Sequence, residues 1–318
     1  MNHYIWVITV LSFILMIRLA VVLPSYDTNS VARLNFGEKS SIISSNTVFN
    51  SAITLVFIIG IEGVGHHFVS DLLKDSPNMR ELNELGLCDG GNPVAYGLPL
   101  MKANAHSSDF DKLVSGMIEL DQIVKNRVQE HQAGSSFHIA INANGCHDRM
   151  ASYPSNQNEN RHLDTPNVDI FYDACEKAQV NCKHIYLYRD PYDIISSTTV
   201  KRKFNADSRE AIRTYTLMSQ YIYSQLSYYS DKTLLCFGPL DVHGYKRQTD
   251  WDKFGLIFGW KSADDFRTYV NGINKKSEIV PYSESEKLKL VPEKWSVYIK
   301  AYEDIHARVT NLCYSQSG

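Results

Sequence analysis

The chain has 318 residues, 44% of them hydrophobic, which suffices for a sizeable core in one large or two small domains. Its formal net charge is −3, and no long basic run appears outside Lys201-Arg202-Lys203, which excludes nucleic-acid binding by broad electrostatic attraction. The six cysteines, Cys88, Cys146, Cys175, Cys182, Cys236 and Cys313, form no Cys-x-x-Cys pair and no zinc spacing with nearby histidines, so no metal site is expected.

Residues 4–23 are nearly all apolar. A helix of about 20 such residues spans the hydrocarbon core of a bilayer, and Arg18 near one end can snorkel to the interface. A cleaved signal peptide is the competing reading, but the run is long and only the α-amine and His3 precede it as a positive region. The expected organisation is therefore a short cytoplasmic end (1–3), a transmembrane signal-anchor (4–23), a polar Ser- and Asn-rich stem (24–53) and one globular domain (54–318). The even cysteine count fits up to three disulfides in a secretory-pathway domain, and equally six buried thiols. The chain has no Asn-x-Ser/Thr sequon.

Thr54 to Ile59 is a continuous apolar, β-branched run, as expected of a strand buried on both faces. Gly60-Ile-Glu-Gly-Val-Gly-His-His67 follows, and then a segment with helical spacing from Phe68 to Leu73. Phe110, Leu113, Met117, Leu120, Val124 and Val128 make a helical stripe, and Phe137 to Asn142 reads as a strand. A helix over 168–180 feeds a strand at 184–188. Asp207-Ser208 can cap a helix carrying Ile212, Tyr215, Met218, Ile222 and Leu226. Thr233 to Phe237 is a short strand, and a last helix after Pro292 aligns Tyr298, Tyr302, Ile305, Val309 and Leu312. Strands alternating with helices predict an α/β fold, a central parallel sheet flanked by helices.

Two segments carry chemistry. Gly60 and Gly65 have the spacing of a nucleotide phosphate loop, and strand, glycine turn and helix together aim backbone N–H groups and a helix dipole at a phosphate. His66-His67 stands where an ATP-binding loop needs Lys-Ser/Thr to meet β- and γ-phosphates and Mg²⁺. Gly63, Val64, Gly65, His66 and His67 are the candidate cradle. The second segment is the strand ending at Tyr188, followed by Arg189-Asp190-Pro191 and, eight residues after the arginine, Ser197. A strand-terminal Arg can grip phosphate bidentately; the plainer reading is an ion pair with Asp190 or Asp193.

Together these motifs resemble the P-loop sulfotransferases, particularly the membrane-anchored type II enzymes of the Golgi. In that family an Arg at a strand end and a Ser eight residues later bind the nucleotide 3′-phosphate, the roles implied for Arg189 and Ser197. Leu72 to Pro77 with Glu81 and Glu84 looks like the family's first helix, Pro-containing turn and acidic residue. Ala151 to Pro154 and Thr233 to Trp260 are similar to other stretches of the family. The resemblance implies a sulfotransferase using 3′-phosphoadenosine 5′-phosphosulfate, without a metal, on a secretory acceptor such as a carbohydrate, with the domain in the Golgi lumen. His66, His67 or Glu84 would act as base. The chain departs from the family in having no Lys or Arg near Gly63, and His66 where Thr or Ser is usual. Either the histidines supply the missing donor or donor binding differs. An ATP- or GTP-binding P-loop enzyme and a non-catalytic interaction module with the same fold are the alternatives.

Overall fold

The computed structural model describes residues 49–61, 63–89, 92–93, 110–130, 139–142, 151–153, 168–201, 207–228, 234–238, 248–273 and 282–314. The anchor at 4–23, most of the stem, Glu62 of the glycine loop, and Arg202 and Lys203 of the basic run lie outside them. Among the described residues no helix is long and apolar enough to cross a membrane.

Strand β1 (Ile53–Ile61) is buried at all nine positions, so both of its faces and both of its edges are covered. Its edges are covered by parallel neighbours. β4 (Ile139–Asn142) pairs with its first half and β5 (Ala151–Tyr153) with its last residues, while β6 (Asn181–Leu187) runs along the other edge. β7 (Leu234–Phe237) extends the sheet beyond β6, giving the order β4-β1-β6-β7 with β5 also on β1. A separate short antiparallel pair joins β2 (Cys88–Asp89) and β3 (Asn92–Pro93).

Helices cover this sheet, as alternating elements require. After β1 come α1 (His66–Lys74), α2 (Pro77–Glu84) and α3 (Phe110–Glu130), the last burying Leu113, Met117, Leu120 and Val124. Ser76 caps α2 through a hydrogen bond from the Met79 N–H, with Pro77 in the first turn, where its missing N–H is harmless. α4 (Val168–Ala178) precedes β6; α5 (Pro191–Ser196) and α6 (Ser208–Tyr228) follow it. The expected stripe of α6, from Ile212 to Leu226, is buried at all five positions. α7 (Gln248–Ile257) and α8 (Ala263–Ile273) bring Trp251, Phe254, Phe258, Trp260 and Phe266 into one aromatic cluster that stacks on Phe237 of β7. α9 (Glu284–Leu290) and α10 (Ser296–Tyr314) complete the fold. In α10 the buried face runs through Ile299, Tyr302, Ile305 and Val309, whereas Tyr298 is 52% exposed. Ile299 and Tyr302 are three residues apart and share the face, which turns Tyr298 outward.

The sheet-side order reaches back into residues read as stem. Phe49 and Asn181 exchange hydrogen bonds, and Asp121 of α3 accepts from both Ser51 Oγ and the Ala52 N–H at 2.8 Å. Lys125 pairs with the same carboxylate, so a half-exposed cation balances a largely buried anion.

A disulfide joins Cys175 of α4 to Cys182 of β6, and Cys88 and Cys236 are also disulfide-bonded. Between Cys175 and Cys182 the chain turns through Gln179, whose φ of 56° is left-handed, and Val180 N–H donates to Cys175 O across the turn.

On the same face of β6 as Cys182, His184 is fully buried among Phe57, Phe171 and Tyr172, and neither ring nitrogen has a hydrogen-bond partner. Burial therefore holds the imidazole neutral and pushes its pKa down to about 3 from an ordinary 6.5. Because the folded value is depressed, the stability this residue contributes is present above pH 6.5 and lost as pH falls from 6.5 toward 3, by about 1.4 kcal/mol per pH unit. His184→Leu keeps the volume and removes the titration. Relative to the parent it should gain about 2 kcal/mol at pH 5 over its difference at pH 7. Denaturant unfolding at the two pH values measures this; parallel shifts at both would show that His184 does not titrate on unfolding.

Candidate functional site

β1 and β6 are adjacent, yet the chain leaves them in opposite directions, toward β4 and toward β7. In open parallel sheets the crevice beyond the carboxyl ends of such strands is where ligands sit. Both motifs from the sequence arrive there. The loop 60–65 leaves the end of β1, and Arg189 stands two residues past the end of β6.

The loop is shaped by close packing. A Cβ on Gly60 would lie 2.8 Å from Val64 Cγ2 and 3.0 Å from Leu187 Cβ, so the strand end has no room for a side chain. Gly63 has φ +100°, and a Cβ there would meet Thr198 Cγ2 at 3.2 Å. Gly65, at φ 111°, caps α1 with no side-chain hydrogen bond, and no acidic residue occupies the first turn. The amides of His66 and His67 at this end thus have no intrahelical acceptor and carry the positive end of the dipole. The Val64 N–H differs from the expected cradle: it donates to Ile61 O at 3.2 Å and serves the turn itself. Val64 is fully buried, and the His67 side chain is exposed.

Asp190 begins α5 as its N-cap, accepting from the N–H groups of Tyr192 and Asp193, with Pro191 in the first turn. This fixes the residues on either side. Arg189 extends back over the glycine loop and donates from Nη1 to the Gly63 carbonyl at 3.1 Å, while Nε donates to Asp193 Oδ2 at 3.2 Å. A guanidinium has five N–H donors, so about three remain for a ligand. The side chain is 16% exposed, which leaves it reachable from the crevice. The ion pair with Asp193 read from the sequence is present, and the bond to the loop comes in addition. Burial raises the Asp193 carboxyl above its ordinary range despite the neighbouring Arg189, which pulls the other way.

After α5 the helix widens into a π turn over Ser197–Lys201. Such turns insert a residue and re-aim side chains, and are frequent at functional sites. Thr198 and Thr199 turn their hydroxyls back onto the carbonyls of Ile194 and Ile195. Ser197, 8% exposed, makes no such bond among the described residues. Lys201 is exposed, and its charge acts on Asp193.

The structure therefore brings Gly63, Gly65, the α1 amides, Arg189 and the Ser197 turn to one sheet edge. Glu84 is exposed at the end of α2, with no hydrogen bond or ion pair to the loop among the described residues. Its charge, after burial, raises the carboxyl of Glu81. The packing of Thr198 on Gly63 was not foreseeable from local pattern, since 135 positions separate them. The Asp190-Pro191 helix start was readable from the cap preference of Asp and the first-turn preference of Pro. Among the described residues no cluster of His, Cys, Asp or Glu could hold a metal ion. Compared with protein-family models, curated proteins and solved structures, the chain gives no match.

Gly60→Ala should destabilise the fold by about 1–3 kcal/mol through overpacking against Val64 and Leu187. Gly86→Ala would meet no atom within 4 Å and pays only for its φ of +64°. Unfolding midpoints of the two variants rank these effects, and equal midpoints would contradict the packing account of the loop.

Proposed function

We propose that the chain is a sulfotransferase that moves a sulfuryl group from 3′-phosphoadenosine 5′-phosphosulfate to a hydroxyl or amine of a secretory-pathway acceptor. The observation that carries this reading is the Arg189–Gly63 hydrogen bond, which places a strand-terminal arginine and an anion-ready helix start in one crevice. A donor with phosphates at both ends needs two such grips, joined but chemically distinct. In this reading Arg189 and Ser197 hold the 3′-phosphate, and the loop amides with the α1 dipole hold the 5′-phosphosulfate.

The acceptor oxygen or nitrogen attacks sulfur in line. The bond from sulfur to the bridging phosphate oxygen breaks, and its electron pair leaves with adenosine 3′,5′-bisphosphate. The acceptor proton passes to a base. His67, exposed beside the α1 N-terminus, and His66 at the helix start are the nearest candidates; Glu84 is the third. No metal is needed for the transfer. Disulfides at Cys88, Cys175–Cys182 and Cys236 suit an oxidising compartment, in keeping with a type II anchor at 4–23 and a lumenal Golgi domain.

Titration of the full-length chain with adenosine 3′,5′-bisphosphate is the direct test. Arg189→Ala should weaken binding by about tenfold to a hundredfold, the scale of one charge-assisted hydrogen-bonded pair. Absence of binding, an unchanged affinity in the variant, or Mg²⁺-dependent binding of ATP or GTP in its place would overturn the reading. If transfer is detected, His66→Ala, His67→Ala and Glu84→Gln should separate the base from its neighbours, with the base variant losing about 10²–10⁴ in kcat. Equal rates in all three would remove each from that role.

A further inference from the structure

The polar side chains of the π turn after α5 divide by what they touch. Thr198 and Thr199 turn their hydroxyls back onto the carbonyls of Ile194 and Ile195. Ser197 makes no such bond, and Lys201 has no hydrogen bond or ion pair to another described residue. A Cβ on Gly63 would meet Thr198 Cγ2 at 3.2 Å and Ile194 O at 3.5 Å, so α5 and the π turn both abut the glycine loop. The turn also decides which way Lys201 faces. In an uninterrupted α-helix positions i, i+4 and i+7 share a face. Ser197 is the fourth residue after Asp193. A π turn inserts one residue, so Lys201, the eighth after Asp193, takes the place the seventh would have held. Asp193, Ser197 and Lys201 therefore form one row, and the positive charge of Lys201 acts on the Asp193 carboxyl. Val200, displaced from that row, is 63% exposed. Arg189 joins the row through its 3.2 Å bond to Asp193.

Charge makes this row consequential. Arg189 and Asp193 pair to no net charge, and Asp190 at the head of α5 adds a second carboxylate beside them. A phosphomonoester carries about −1.5 to −2 at pH 7. At Arg189 alone it would meet two carboxylates against one guanidinium. Lys201 offsets one of them. Lys287 also acts on Asp190, but it is paired with Glu284 at 2.9 Å. The donors match a terminal phosphate in number as well. Such a group presents three acceptor oxygens, and a guanidinium, a hydroxyl and an ammonium can each answer at least one. A hydroxyl or a phosphodiester in the same place offers fewer acceptors and less charge.

We infer that Lys201 is a specificity-determining residue which, with Arg189 and Ser197, selects a terminal phosphomonoester over a hydroxyl or a phosphodiester at this sheet edge. The inference deepens the proposed transferase reading and rests on it for identifying that group as the 3′-phosphate of the donor. The preference for a terminal phosphate follows from the row itself. Without Lys201 the two carboxylates outweigh Arg189, so the lysine matters more here than a lysine on an open surface.

The test measures the affinity of the full-length chain for adenosine 3′,5′-bisphosphate, for adenosine 5′-monophosphate, which lacks the 3′-phosphate, and for ATP. Lys201→Gln should weaken bisphosphate binding about tenfold, the lower end for a charge-assisted hydrogen bond because an exposed lysine must be ordered on binding. Affinity for the monophosphate should stay within twofold. Lys201→Arg should recover most of the loss. Lys183→Gln, which removes an exposed lysine near the opposite end of β6 from Arg189, should leave both affinities unchanged. Bisphosphate binding that requires Arg189 but is equal in parent and Lys201→Gln would overturn the inference and leave the transferase reading. An equal loss for bisphosphate and monophosphate would also overturn it, since the lysine would then not distinguish the 3′-phosphate. Lys201-dependent binding of ATP by a chain that ignores the bisphosphate would sink the transferase reading and keep the phosphate site. Binding of neither nucleotide overturns both.

Discussion

Every part of this structure answers to the burial of β1. A strand with nine consecutive buried residues can be stable only if strands take both edges and helices cover both faces. The parallel neighbours β4, β5 and β6 meet the first demand. Parallel pairing then forces long crossovers, and these crossovers are the helices that meet the second. Because all strands of this sheet run the same way, their carboxyl ends collect at one edge. The glycine loop and Arg189 meet there as a result of the topology rather than of any attraction between them in sequence.

Much of this was legible in advance because the signals are local. Apolar runs gave β1 and β6, the periodic stripes gave α3 and α6, and Asp207-Ser208 marked the start of α6. Three features were not. β5 is three residues long and polar in part, so it owes its strand form to pairing with Ile59–Ile61. The outward turn of Tyr298 depends on which neighbour Tyr302 meets, which periodicity alone leaves open. The bond from Arg189 to the Gly63 carbonyl and the seat of Gly63 on Thr198 are tertiary facts. The sequence identifies the participants of the site, and the fold alone says that one arginine both buttresses the loop and faces the crevice.

That double role separates this site from a simple anion trap. Asp193 tethers the guanidinium plane at one end and the loop carbonyl at the other, so its orientation is set before a ligand arrives. Preorganised donors lose less freedom on binding than mobile ones. The loop carries no lysine, and among the described residues Arg189, Lys201 and the peptide dipoles of α1 contribute the positive potential at this sheet edge.

The bond between Cys175 and Cys182 joins positions seven apart in sequence and needs only the end of α4 and the start of β6 in order to form. Helix α4 and strand β6 are joined by the turn at Gln179, and a crosslink of such short range can close while the rest of the domain is still being made. Once this bond has closed, α4 arrives at β1 already clasped to the strand that follows it. The slow step in assembling a parallel sheet, the search of distant strands for each other, would begin with a helix–strand pair in place of a free strand.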